Sequence, residues 1–262
     1  MAYALLNPKY YLHFFGVALL AFFMLSGCAG QAPKPMNYAE AENYWQKFIE
    51  TKPSSPYRLE LSLRLGLKGD TRRVTALLWG NDSTTIRLDA MAGVGSIVAQ
   101  IFSDSQNFLV VAPTESLAYT HTGSNQPLLK IGGLPLPLSL HNLTDILTGH
   151  AAKVFGQSHG EVKTQNKGLL SYKLLEKMPG EITLDAKGRL VGWNSSSWTM
   201  QVEYDEQDCL SRLSLENHKG ERTILTVRDR AKVAPFTLAQ MSLTIPNGFK
   251  IKPLANYTSQ TF

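Results

Sequence analysis

Cysteine is scarce in this 262-residue chain: Cys28 and Cys209 are the only two. Cys28 belongs to an export signal described below, so no intrachain disulfide is available and stability has to come from an apolar core. His13 lies in that signal, and His121, His141, His150, His159 and His218 show no metal-ligand spacing. His150 and His159 flank a glycine-containing loop, where solvated side chains explain them better than a zinc pair. No serine sits in a Gly-x-Ser-x-Gly elbow and no glycine-rich phosphate loop follows a strand. Asp205, Glu206 and Asp208 crowd one predicted turn, where solvation explains them better than acid–base work. These absences argue against an enzyme, a metal and a cofactor. The formal charge is +5, yet Arg72-Arg73 is the only adjacent arginine pair and no aromatic stripe interleaves the basic residues, which argues against nucleic acid as a partner. No internal repeat, low-complexity tract or second-domain boundary is visible.

What is present begins with an apolar run from Phe14 to Leu25 after a weakly charged start whose only formal charge is Lys9. The run has the length of a secretory h-region and is too short to span a bilayer. It closes on Leu25-Ser26-Gly27-Cys28, small residues before a thiol, which reads as the lipid-attachment site of a bacterial lipoprotein. Residues 1–27 are then a signal peptide, and cleavage before Cys28 leaves 262 − 27 = 235 residues. Two or more acyl chains on one cysteine make a stable anchor where one does not. In bacterial lipoproteins an aspartate after the cysteine favours retention in the inner membrane; by that resemblance Ala29 favours the outer membrane. Residues 28–36, with Pro33 and Pro35, read as a flexible tether.

A single domain is expected over 37–252, with a tail at 253–262. Asn37 and Glu40 form a capping-box-like start for a helix to about Glu50, whose apolar face is Ala41, Tyr44, Trp45, Phe48 and Ile49. Period-two alternation then predicts a long strand over 57–68 and further strands at about 73–80, 84–91, 96–103, 107–112 and 117–122. A break follows at 132–137, and Ser139 caps a short helix ended by Gly149. Strands resume over 169–175, 181–184, 189–193, 198–204, 212–216, 222–228 and 237–245, with 185–188 as a hairpin turn. The pattern is mainly β: a strongly curved antiparallel sheet, an unclosed half-barrel of about 11–12 strands, capped by the first helix and the mid-chain helix.

Several local strings resemble the LolA/LolB lipoprotein-localisation family, and LolB-like outer-membrane lipoproteins in particular. The segment Ile86–Ser96 is similar to a strand ending in a short apolar loop. Leu134–Leu143 is similar to the family's Leu-Pro-Leu segment and short helix, and Trp198–Tyr204 to its tryptophan-led strand. Leu210–Leu215 and Ile224–Arg230 resemble its final strand pair. The chain departs by continuing through Thr237–Pro253, and by Ala231 where the family tends to place tryptophan. The resemblance implies a periplasm-facing acceptor, anchored in the outer membrane at Cys28, that takes acylated lipoprotein cargo from a LolA-like carrier and inserts it into outer-membrane lipid. The alternative is a lipid-anchored binding or scaffold module of the same fold for another hydrophobic ligand or envelope component.

Each exposed methylene of an acyl chain costs about 0.8 kcal/mol in water, so such cargo needs an apolar shelter. The candidate cavity residues are Leu61, Leu63, Leu65, Ile86, Leu88, Trp198, Met200 and Val202; the same side chains would equally fill a solid core. Met91 and Val94, at a glycine-flexed tip, are the candidate membrane-inserting loop. A tip folded back on the core is the competing arrangement.

Overall fold

The computed structural model describes residues 37–50, 53–67, 70–93, 95–123, 128–131 and 134–254. Cys28, the tether and Val94 lie outside them. Tyr38–Ile49 forms α1. The strands that follow are β1 (Tyr57–Leu67), β2 (Asp70–Gly80), β3 (Ile86–Ala92), β4 (Ser96–Ser103), β5 (Asn107–Ala112) and β6 (Leu117–Thr122). A small hairpin of β7 (Leu128–Ile131) and β8 (Leu134–Ser139) leads into α2 (Leu140–Leu147) and α3 (Ala151–Phe155). The second run comprises β9 (His159–Thr164), β10 (Leu170–Leu174), β11 (Glu181–Leu184), β12 (Leu190–Asn194), β13 (Trp198–Tyr204), β14 (Leu210–Asn217) and β15 (Glu221–Ala231). A one-turn helix, α4 (Leu238–Met241), and a last strand, β16 (Lys250–Pro253), complete the chain.

Fourteen strands form one open sheet in the order β16-β6-β5-β4-β3-β2-β1-β15-β14-β13-β12-β11-β10-β9. It is two meanders joined where β1 pairs with β15. All neighbours are antiparallel except β16, which lies parallel to β6. Three expectations are corrected. The sheet holds more strands than the alternation suggested: β16 and β9 add to it, and in β9, His-Gly-Glu-Val-Lys-Thr, only Val162 packs against the core as an apolar residue, so no period of two shows. Of the break expected at 132–137, the described part belongs to the strand Leu134–Ser139, whose prolines sit in a two-stranded hairpin outside the main sheet. The stretch 237–245 is no strand: Thr237 and Gln240 close a reciprocal capping box and start α4.

One face of the sheet is apolar across its width. Cross-strand partners line up as Leu65, Thr223, Leu215, Met200, Trp193, Ile182, Tyr172 and Val162, a row running from β1 to β9. A second row, Leu59, Leu78, Leu88, Ile101, Val110 and Tyr119, runs from β1 to β6. The helices cover this face. Asn37 accepts hydrogen bonds from the Ala39 and Glu40 nitrogens, and α1 buries Ala41, Tyr44, Trp45 and Phe48. Glu40 does not return to the cap; its carboxylate accepts from the Tyr44 hydroxyl at 3.0 Å. The Ser139 hydroxyl accepts from the Asn142 nitrogen, and α2 buries Leu140, Leu143, Ile146 and Leu147. In α3, Phe155 packs on Trp193 with ring centres 5.9 Å apart.

The segment between β15 and β16 crosses the opposite face of β2 and β3. Asn81 holds the Phe236 backbone with two hydrogen bonds, at 2.9 and 2.7 Å, and Arg87 donates to the Ser242 carbonyl at 2.8 Å. This strap explains why Arg87 is as buried as its neighbours Ile86 and Leu88.

Candidate functional site

The registers divide the strand connections between two rims of the sheet. The upper rim carries the β2–β3, β4–β5, β9–β10, β11–β12 and β13–β14 links. The lower rim carries the β1–β2, β3–β4, β5–β6, β10–β11, β12–β13 and β14–β15 links. The N-terminal half of α1 lies over Tyr172 and His159: the Tyr172 hydroxyl donates to the Ala41 carbonyl at 2.7 Å, and His159 Nε2 is 3.6 Å from the Glu42 carboxylate, with the Trp45 ring edge-on to the imidazole at 4.5 Å. Its C-terminal half lies against Gly188 at the upper rim, where Lys47 donates to the Ala186 carbonyl. The helix therefore starts toward the lower rim.

Of the eight expected cavity residues, Leu61, Leu63, Leu65, Ile86, Leu88, Met200 and Val202 share the helix-covered face and are buried in one continuous core. Trp198 is half-buried at the start of β13 and borders a polar hollow of about 320 Å³ that includes Ser195, Ser196, Gln201 and Asn217. The seven buried residues line none of the three hollows described at either rim; they belong to the same core as the buried faces of α1 and α2.

Solvent-accessible space does reach this core at the upper rim. A cavity of about 340 Å³ is bordered by the core residues Phe48, Ile146, Leu147, Leu190 and Leu210, and by Tyr204, Arg189, Arg230 and Cys209. A second hollow of about 460 Å³ shares Thr148 and Arg230 with it and extends past Tyr57, Asp82 and His150. Arg230 donates to the Leu147 and Leu210 carbonyls, both at 3.3 Å, and so ties the end of α2 to β14. Asp208 binds Lys187 at 2.7 Å and also pairs with Arg189, which in turn meets Asp185 at 2.6 Å. The Arg189 guanidinium lies 4.5 Å over the Tyr204 ring, and the Tyr204 hydroxyl donates to the Leu190 carbonyl. Burial pushes the Tyr204 hydroxyl above the usual tyrosine pKa, so it stays a neutral donor. Sequence reasoning missed this mouth because its lining comes from six separate segments; the 185–188 turn, the acidic 205–208 turn and the helix end at Gly149 each pointed near it without showing that they meet.

At the lower rim, Met91 is half-buried and faces Ile97 across the hairpin. Gly93 and Gly95 have φ of +60° and +80°, and a Cβ at either would meet nothing within 4 Å. The described part of this tip stands clear of the core.

The histidines do not converge. His159 is under Trp45, His150 sits beside Thr148 in the upper hollow, and Ser103 meets His141 Nε2 at 2.7 Å. Among the described residues, no three His, Cys, Asp or Glu side chains gather where a metal ion would sit.

No protein-family model matches the chain, and no curated protein matches its sequence. Solved structures do match. A LolA superfamily protein from Nitrosomonas europaea is 10% identical, with a TM-score of 0.51 over 78% of this chain and 97% of that one. A DUF1329 family protein from Desulfovibrio piger is 10% identical, with a TM-score of 0.50 over 78% of this chain and 95% of that one. At such identity the likeness is one of architecture: the chain has the LolA-like fold, a large unclosed antiparallel sheet with few helices.

Proposed function

We propose that this protein is a lipid-anchored acceptor of acylated cargo, fixed to the outer membrane through Cys28 and facing the periplasm. Lipoprotein acyl chains, delivered by a LolA-like carrier, bind against the apolar face of the sheet and pass from there into outer-membrane lipid. The protein acts as a binding and transfer device, with no covalent chemistry of its own.

The observation that carries this reading is the cover over the apolar face. That face is roofed by short helices and not by a second sheet, and the 340 Å³ cavity opens onto the same core. A roof of this kind exchanges its own apolar side chains for acyl chains at small net cost, because the face stays dry in both states. An ion pair lies inside the roof: Lys153 Nζ of α3 is 3.6 Å from Oδ1 of the buried Asp145 in α2. Lifting α2 exposes Leu140, Leu143, Ile146 and Leu147, about 6–12 kcal/mol at about 1.5–3 kcal/mol each, which about 8–15 sheltered methylenes of an acyl chain offset at about 0.8 kcal/mol apiece.

The test is transfer of a labelled lipoprotein from a purified soluble carrier to liposomes, with and without the full-length protein. Acceleration by the protein is expected, and glutamate at both Met91 and Val94 should stop insertion while cargo capture persists. A protein that neither captures acylated cargo nor changes its transfer would end the reading.

A further inference from the structure

We propose that the lower rim as a whole is a bilayer-docking surface, with Tyr38, Leu67, Ile97 and Leu175 as its lipid-contacting side chains. This rests on the reading of Cys28 as a lipid anchor and extends membrane contact well beyond the Met91 tip. Among the described residues, six large hydrophobic side chains are exposed, and four of them belong to this one end. Leu67 (55% exposed) ends β1, Ile97 (39%) opens β4, Leu175 (61%) follows β10, and Tyr38 (79%) starts α1. The other two, Leu238 and Ile251, lie on the strap and on β16.

The opposite rim is built otherwise. Its links carry Asp82, Asp104, Asp185, Asp205, Glu206 and Asp208 against Lys167, Lys187 and Arg189, an acidic balance, with several of the carboxylates capping tight turns. The lower rim's described links hold Glu115 and Glu176 against exposed Lys177 and Lys219. An anionic lipid surface repels the first set and tolerates the second.

Three arguments select lipid as the occupant. Nine residues, 29–37, separate the anchoring cysteine from the first residue of α1. A chain of that length reaches at most about 30 Å and typically about 15–18 Å, which holds the α1 end of the domain close to the bilayer. The apolar residues stand singly on separate tips, interspersed with polar ones, whereas a protein partner needs a contiguous complementary patch. Aromatic side chains at the same end, exposed Tyr38 and half-buried Trp198, are of the type that settles at headgroup level.

The experiment uses the full-length protein purified from membranes and reconstituted in vesicles of phosphatidylethanolamine and phosphatidylglycerol. A trace phospholipid carries a photoreactive diazirine near its chain end, and crosslinks are mapped by mass spectrometry. Crosslinks at peptides containing Leu67, Ile97 and Leu175, several-fold above those at the Asp104 and Asp205–Asp208 turns, are expected. Leu67→Gln with Leu175→Gln, both exposed and outside the core, should bring their tips down to the level of the acidic rim. Crosslinks confined to residues 28–36, or equal at both rims, would overturn the proposal, as would a protein–protein crosslink replacing lipid at these tips. The mass of the Cys28 peptide from the same sample reads acylation separately. Rim crosslinks support the docking surface whether or not that cysteine is acylated, and their absence rejects it in either case.

Discussion

Replacing Gly188 by alanine should unseat α1 from the sheet. Gly188 has φ +74°, and a Cβ there would lie 2.5 Å from Lys47 Cβ, 2.8 Å from the Tyr44 carbonyl oxygen and 3.0 Å from the Phe48 nitrogen. Two of the three contacts are helix backbone, so relief requires α1 to move as a body. Holding alanine in the left-handed region costs about 1–2 kcal/mol. Roughly 0.4–1 kcal/mol of that is offset because the unfolded alanine chain has less freedom to lose. A gap of about 0.5–1 Å forfeits roughly a quarter to a half of each contact well. Full removal of a large aromatic costs about 3–5 kcal/mol, so partial loss at Tyr44, Trp45 and Phe48 adds about 2 kcal/mol. The net loss is about 3 kcal/mol, which for a domain of this size lowers Tm by about 6–12 °C. Thermal unfolding followed by near-UV circular dichroism measures it, and Trp45 fluorescence should shift before the transition. Looser seating of the roof should also raise binding of a hydrophobic dye. A variant that melts with the parent and binds no more dye would refute the argument that this turn positions α1.

Two further outcomes follow from polar contacts around the core. Burial holds His141 below the usual histidine pKa of 6.5, so the unfolded chain takes up the proton first. Stability from this site is complete above pH 6.5 or so and is lost as pH falls below that value. Chemical denaturation between neutral and mildly acidic pH should show the loss, and His141→Gln should flatten it; parallel slopes would remove the assignment. Asn81→Ala deletes both hydrogen bonds to Phe236, a loss of about 2 kcal/mol at about 1 kcal/mol per bond. Faster amide exchange at Lys250, Ile251 and Lys252 should follow as the strap loosens, and unchanged exchange there would show that Asn81 does not hold it.

Legibility in the sequence tracked burial on one side. β1 announced itself through Tyr57, Leu59, Leu61, Leu63 and Leu65 alternating with Arg58, Glu60 and Arg64, because one face meets the core and the other meets water. The α1 and α2 caps were readable for the same local reason, as side chains that bond their own helix. β9 was not readable, since Val162 is the one apolar side chain this edge strand turns to the core and a single residue carries no period. β3 misleads differently: the strap buries Arg87 on the face that alternation assigns to solvent. The cavity residues were found as a face, yet sequence does not say whether a roof lies above them. The upper mouth and the scattered tip residues were invisible because they depend on which turns share a rim, and register alone fixes that.

The seam between β1 and β15 has a consequence for how the chain is made. Arg58 finds its partner Ala231 after 231 − 58 = 173 residues, and the other strands of the two meanders pair mostly with near neighbours. A polypeptide threaded outward from its first residue therefore presents β1 with one bare edge until almost everything else has emerged. Such a wait is slow to resolve and prone to wrong pairing. Assembly of this protein is thus governed by the arrival of one late strand, and a holdase binding the exposed edge in the interval would raise the yield of folded molecules.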